Sequence, residues 1–375
     1  MGRHFNNDQG QLQTEVPKAP NYLSIASSNA DVVFEPFRIP KFGMHGGGLR
    51  EVGKRISFRI TDGSLISGDT VTITYGDRSQ GSPGFQVMSI SNDAYQMPVY
   101  LSFDGSVTTN YLLSPIEFEV VGTAVKGVAG FVPSVVKQGT PFDVLVRSED
   151  EFFNLSTGAH PGYDIYVGDE RVAEIAPSNE GLQSVSNVEI DELGFYYFRI
   201  EARDGSHVGE SNPLKVVEEL GDQILWGETH GHSGFAEGQG TPNGYFAFAR
   251  DQARLDFISL TEHDLWLDDG EWEHLREVTE RYNDPGEFVT YMGYEWTVNK
   301  GQGGHHNILF RHAKDVGRVP AQLFPTLDQL YDGLNERYHA SDVLSIPHAH
   351  QTGYWLLSDA GHRILGRDPF ITWLF

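Results

Sequence analysis

From about residue 21 to residue 218, apolar side chains recur at every second position in short runs, each closed by Gly, Asp, Asn, Ser or Pro. A period of two sends successive side chains to opposite faces, and such runs bounded by turn formers read as half-buried strands. They fall at Arg55–Ile60, Asp69–Tyr75, Val99–Phe103, Ile116–Val121, Phe142–Arg147, Asp164–Val167 and Gly194–Glu201. Helical periodicity is absent here, so antiparallel sandwiches are expected. After a flexible polar stretch at 1–20, the length favours two modules, 21–125 and 126–218. In the second, PSVVKQGTPFDVLVRSEDEFFN reads as the opening pair of strands of an immunoglobulin-like sandwich.

Past residue 219 the period changes. Apolar runs at Ile224–Trp226, Leu255–Leu260, Phe288–Tyr294, Ile308–Phe310 and Val343–Ile346 read as strands. Helical spacing lies between them. Thr241 caps a helix that has Pro242 at its first position and Tyr245, Phe248, Ala249 and Gln252 on one face. A second helix spans Asp269–Tyr282, with Trp272, Leu275, Thr279 and Tyr282 in register. A third runs from Thr326 to about Tyr338, opened by the Thr326/Gln329 capping box. Alternating strands and helices imply parallel strands with crossover helices. In such folds the residues just past the strand C-termini converge on one face. Here they are His230, His232, His263, Glu295 and His348.

Composition sharpens that picture. Of 15 histidines in 375 residues, 11 lie from His230 to His362, and there is no cysteine. Disulfides and thiolate sites are excluded, so a metal has only imidazole and carboxylate to bind. A formal charge of -25 argues against nucleic acid or an anionic membrane as partner. No run of about 18 apolar residues occurs, so no spanning helix is expected. The first residues lack the apolar core of a signal peptide. A cytoplasmic protein is expected as the sequence stands; a periplasmic or secreted one is compatible with an N-terminus lacking its leader. Assembly into a homo-oligomer is also compatible.

Imidazoles and a carboxylate suit borderline divalent metals, and several converging sets point to more than one ion. Two nearby metals acidify a water and clamp a phosphoryl group. His305 and His306 are adjacent, so in an extended segment only one faces the metals; the other faces solvent or orients substrate. His350 donates to a ligand or meets substrate. Asp264 either orients the His263 imidazole or is an ordinary turn residue. His274, His312, His339 and His362 read as surface or structural groups. Trp266 and Trp355 wall a pocket or simply pack. The GQGTPNG loop before the first helix holds an anion or is a plain turn. Phe152, Phe153, Tyr196 and Tyr197 would serve a ligand-binding module, although a scaffolding role for the β-rich half is favoured.

At these residues the chain resembles the PHP (polymerase and histidinol phosphatase) metal-dependent phosphoesterases. Their His-x-His motif is matched by His230-Gly231-His232 and their Thr-Asp-His turn by Thr261-Glu262-His263. A Glu after the third strand is matched by Glu295, and later histidines by those of GGHHN and PHAH. Within that group the chain looks most like a PHP-like family called domain of unknown function 3604, whose Gly-Asp-x-His-Gly-His segment corresponds to Gly227–His232. The resemblance covers about Gly221 to the end, within a domain expected at 219–375, and implies a distorted (β/α)7 barrel with two or three zinc, manganese or iron ions, hydrolysing a small phosphate ester. It implies that His230 and His232 hold a first metal with Glu295 bridging, that His263 serves a second, and that His305 (in preference to His306) with His348 serves a third. Glu295, His263 and His348 would act at the reacting centre. Glu237 stands where relatives carry a further histidine and is a candidate ligand. The last family motif, Asp-x-His, has no counterpart before Phe375, so the barrel is expected to be incomplete. An amide, a sulfate ester or a cyclic phosphate is a variant substrate. A different class of protein, a non-catalytic binding or scaffold protein with a degenerate barrel, is the alternative.

Overall fold

The computed structural model describes residues 12–37, 56–97, 99–103, 111–112, 116–221, 223–236, 238, 240–298 and 304–348; Glu237, His350, Trp355 and His362 lie outside them. The chain divides into two compact units, 1–120 and 121–375.

In the first unit the alternating runs form small antiparallel ladders rather than one broad sandwich. Leu23–Ser27 pairs with Val71–Tyr75, Val33–Phe37 with Ser57–Asp62, Asn92–Met97 with Ile116–Val120, and Tyr100–Leu101 with Tyr111–Leu112. Alternation leaves Val33, Ile60 and Val71 exposed, while Leu23, Val32, Met88 and Val120 are buried. Residues 12–20, expected to be loose, are tied down where they are described. The side-chain Oε1 of Gln13 accepts from the backbone N–H groups of Glu15 and Val16 at 2.9 and 2.8 Å.

The second unit begins with a β-sandwich. Its sheets are Val135–Lys137 with Leu214–Val217 and Gly194–Tyr196; Leu182–Val188 with Phe142–Glu149 and Gly127–Phe131; and Glu170–Ile175 with Tyr163–Val167, Phe198–Ala202 and Val208–Glu210. Val144, Tyr163, Ile165, Phe198, Ile200 and Leu214 form the centre of its core. The expected single strand Gly194–Glu201 is two strands. Gly194–Tyr196 pairs with Leu214–Val217, and Phe198–Ala202 pairs with Tyr163–Val167. Tyr197 carries the chain from one sheet to the other and is exposed, as are Phe152 and Phe153. Tyr196 is partly buried and its hydroxyl donates to the Glu192 carbonyl.

A five-stranded sheet follows, in the order β1 (Gly227–Glu228), β2 (Phe257–Leu260), β3 (Val289–Thr297), β4 (His305–Phe310) and β5 (Val343–Pro347). Ile224–Trp226, expected as the first strand, stays outside it with exposed side chains. The Trp226 indole N–H donates instead to Ser134 Oγ of the sandwich at 2.7 Å. No (β/α)7 barrel is evident: among the described residues the sheet is open, with β1 and β5 at its edges.

The sheet is also mixed, where parallel strands were expected. β1, β2 and β3 are parallel, but β4 runs antiparallel to both β3 and β5. The cause is the short β3–β4 connection, residues 298–304, which has no room for a crossover helix.

The helices follow their caps. α1 (Pro242–Ala247) is capped by the Thr241 hydroxyl, which accepts from Gly244 N at 3.0 Å. It runs on into a π-helical turn, Phe248–Gln252. That wider turn rotates the apolar face, so Phe246 and Ala249 are buried and Phe248 is exposed, unlike the face expected from a uniform 3.6 repeat. α2 (Asp269–Tyr282) opens on an Asp268/Glu271 capping box and buries Trp272, Leu275, Val278 and Thr279. α3 (Leu327–Arg337) opens on the Thr326/Gln329 box and buries Leu330, Tyr331 and Leu334. One hydrophobic cluster joins these helices to the sheet through Met292, Tyr294, Trp296, Ile308 and Phe310. None of the described helices is long and apolar enough to cross a membrane.

Candidate metal centre

Strand alternation decides which side chains of β3 reach the site. Tyr294 and Trp296 turn toward the helices, where Tyr294 OH and Trp296 Nε1 donate to the carbonyls of Val319 and Phe324. Gly293, Glu295 and Thr297 therefore face the other way. On β4, His305 and Asn307 pair with Thr297 and Glu295, and His306 pairs with Trp296. Because β4 is reversed, its first residue lies at the same sheet edge as the C-terminal ends of β1, β2, β3 and β5. Residues from all five strand ends thus meet in one place.

Glu295 is at the middle of that place and 1% exposed. Its Oε1 accepts from His305 Nδ1 at 2.5 Å and lies 3.5 Å from His348 Nδ1. Its Oε2 lies 3.1 Å from His232 Nε2, 3.3 Å from His263 Nδ1 and 3.9 Å from His230 Nε2. Five of the expected site histidines therefore ring the expected carboxylate. His306 does not: it is buried on the opposite face, 3.4 Å from Ser345 Oγ and against the rings of Trp296 and Tyr331. The expectation that it faces solvent or substrate is corrected, because the residue after His305 on a strand must point into the helix layer. Glu237 and His350 lie outside the described residues.

Asp264 also departs from expectation. Its carboxylate accepts from the backbone N–H groups of Thr297 and Ala321, at 3.1 and 2.5 Å, and does not orient His263. Burial pushes its carboxyl up to about 7, against the pull of those two amides. Its place beside His263 is taken by Thr297, whose Oγ1 meets His263 Nδ1 at 2.7 Å and donates its own proton to the Glu295 carbonyl at 2.9 Å. The hydroxyl proton being used, the imidazole must donate from Nδ1.

Comparable partners hold the other rings. His230 Nδ1 meets Thr261 Oγ1 at 2.8 Å, and His348 Nε2 meets Asn307 Oδ1 at 3.0 Å. His232 Nδ1 lies 3.3 Å from Glu262 Oε2. Of these, Thr261, Glu262 and Thr297 were not singled out from sequence. The signal was there, in polar residues at buried strand ends and, for Thr297, in its place two residues past Glu295 on the same face. His230 is the most exposed of the five rings, its side chain 35% exposed, and Trp266 stands edge-on to His263 at 4.9 Å between ring centres.

The electrostatics follow from burial and charge. Burial opposes ionisation of Glu295, but the surrounding imidazoles outweigh it and hold the carboxyl well below the usual carboxylate range. Burial likewise opposes protonation of His232, yet Glu262 and Glu295 overcome it and push the imidazole up to about 9. His230, with burial as the larger influence, is pushed down.

A divalent cation fits this arrangement. His230, His232 and Glu295 form one set of donors within 4.8 Å of one another, and His263, Glu295 and His305 form another. Glu295 Oε2 is buried and makes no hydrogen bond of acceptable geometry among the described residues, although three imidazoles surround it. In the metal-free protein the raised His232 imidazole offsets this buried charge, and a cation held by these donors would take the place of its proton.

Residues 243–354 match the model of a family described as "Protein of unknown function (DUF3604)". An uncharacterized protein of Chlamydia muridarum is 24% identical over 299 residues, covering 76% of this chain and 47% of that protein. One of Chlamydia trachomatis is 25% identical over 297 residues, covering 75% and 46%. The chain spans about half the length of the curated relatives it matches. Among solved structures, the D0–D1 domain of intimin is similar over 52% of this chain and 80% of its own, at 8% identity and a TM-score of 0.19. The CARDB domain of a Pyrococcus furiosus protein covers 25% and 94%, at 14% identity and a TM-score of 0.20.

Proposed function

We propose that residues 219–348 form a metal-dependent hydrolase site, with a small phosphate ester as the substrate class. One observation carries the reading: a single buried carboxylate, Glu295, is shared by two donor sets in which every other member is an imidazole. A bridging carboxylate between nitrogen-rich sets is what a pair of borderline divalent ions such as zinc, manganese or iron requires. The likeness of the His-x-His and Thr-Glu-His segments to the PHP phosphoesterases supports the phosphate ester, and with it a barrel of which the open sheet is a part.

Bound ions would supply Lewis-acid charge against phosphoryl oxygens and a supply of acidified water. The chain's own groups do the remaining work. His230 and His232 with Glu295 would hold one ion; His263, His305 and Glu295 would hold the other. His348 keeps its Nε2 proton on Asn307 Oδ1 and so presents Nδ1 to the centre, where it can take up or return a proton. His230, the most exposed of the five rings, is the group a substrate meets first, and Trp266 shields the His263 side from bulk water.

Metal analysis of purified protein should find transition metal, and aryl phosphate esters should be turned over. The His230→Ala and His263→Ala variants should lose both metal and turnover by at least tenfold. Full activity in both variants would overturn the proposal.

A further inference from the structure

Glu262 is buried at 0% exposure, yet nothing above requires it as a ligand. Its two oxygens are divided between two neighbours. Oε1 accepts from Ser233 N at 2.7 Å and also from the Ser233 hydroxyl. Oε2 faces His232 Nδ1 at 3.3 Å. His232 then points its other nitrogen, Nε2, at Glu295 Oε2, 3.1 Å away. A carboxylate has only acceptors to offer, so in the metal-free protein each imidazole nitrogen opposite one carries hydrogen, Nδ1 toward Glu262 and Nε2 toward Glu295.

We infer that Glu262 is a positioning residue that keeps a proton of His232 on Nδ1, so that Nε2, which faces Glu295, is the nitrogen that gives up its proton to a cation at the centre. A ligating histidine oriented from behind by a carboxylate is a general device of metal sites; here the carboxylate is itself locked in place by a backbone N–H. The consequence for metal affinity rests on the cation-site reading given above, whereas the proton's position does not.

The backbone lock makes the effect of one substitution specific. In Glu262→Gln the Ser233 N–H still needs an acceptor, so the amide oxygen must take the Oε1 position. The amide NH2 is then left facing His232 Nδ1. Two donors cannot face each other, so Nδ1 must be bare and the remaining ring proton sits on Nε2, the atom a cation needs bare. The variant is nearly isosteric and keeps the Ser233 hydrogen bond, so the fold is expected to persist.

The test uses the full chain labelled with 15N-histidine. Two-bond proton–nitrogen spectra of the chelated protein, with His232 assigned by its substitution, report whether Nδ1 carries a proton. The expected result is a protonated Nδ1 in the wild type and a bare Nδ1 in Glu262→Gln. A bare Nδ1 in the wild type overturns the inference without recourse to the variant; an unchanged Nδ1 in a folded variant overturns it as well. Zinc titration in chelator competition is the second readout, with an expected loss of about 10–100-fold in affinity for the variant. Equal affinity would overturn the positioning role. If wild-type protein binds no zinc while the protons sit as expected, the positioning of His232 stands and the metal-site reading falls.

Discussion

At the scale of single residues, the centre depends as much on the groups behind the imidazoles as on the imidazoles. Thr297 shows this most simply, since its hydroxyl is bonded on both sides, to His263 Nδ1 and to the Glu295 carbonyl. Thr297→Val keeps the shape and removes the hydroxyl. Zinc affinity measured against a competing chelator should fall by about 10–100-fold; an unchanged affinity would show that His263 is held by packing alone. A second expectation concerns protons. In the metal-free protein the His232 imidazole is raised from 6.5 to about 9, burial opposing the charge and the Glu262 and Glu295 carboxylates outweighing it. A raised basic group contributes stability that is full below 6.5 and is lost as pH climbs through about 9. A metal competes for the same ring, so its affinity has the opposite slope. It should rise by roughly tenfold per pH unit up to about pH 9 for each proton displaced. Calorimetric titration in buffers of different ionisation enthalpy would measure that release, and a pH-independent affinity with no proton release would rule it out.

At the scale of elements, sequence and structure agree where a local signal exists and part where it does not. α2 and α3 were legible almost to the residue, α2 from the helical spacing of Trp272, Leu275, Thr279 and Tyr282 and α3 from the Thr326/Gln329 capping box. The positions of His230, His232, His263, Glu295, His305 and His348 at strand ends were legible for a similar reason: each follows or opens an apolar run. Strand direction was not, since a period of two is the same read forwards or backwards. The reversal of β4 shows only in its pairing with β3, across a connection of few residues. The π-helical turn after α1 was equally hidden, because no local residue pattern announces a widened repeat. Tyr197, where one expected strand becomes two, marks a change of sheet that only the packing of the sandwich decides. The caps themselves can be tested. Asp268→Ala should destabilise the protein by about 1 kcal/mol in urea, and Leu275→Ala, which empties a buried position under α2, should cost roughly 2–5 kcal/mol. The order matters: a cap loss as large as the core loss would mean that α2 is held by its end rather than by its buried face.

At the scale of the molecule, the described residues of the second unit form two hydrophobic clusters with no residue in common. One lies within the sandwich around Val144, Tyr163 and Phe198; the other lies under the five-stranded sheet around Leu275, Tyr294 and Trp296. Polar links join the two, Arg147 Nη1 donating to the Gln252 carbonyl at 2.8 Å and Trp226 Nε1 to Ser134 at 2.7 Å. Links of this kind contribute on the order of 1 kcal/mol each, far less than either core, so the two parts should melt separately. Every proposed ligand belongs to the sheet part. Metal binding therefore stabilises one core and not the other, by about 2.7 kcal/mol at a hundredfold excess of free metal over the dissociation constant. For a part of this size that corresponds to a shift of roughly 5–10 °C. Scanning calorimetry with and without chelator should show one transition moving by that amount while the sandwich transition stays within about a degree. If both move together, the two cores form one cooperative body and the polar links are stronger than their chemistry indicates. If neither moves, no metal is bound at the centre under those conditions, and Glu295 is neutralised by its histidines alone.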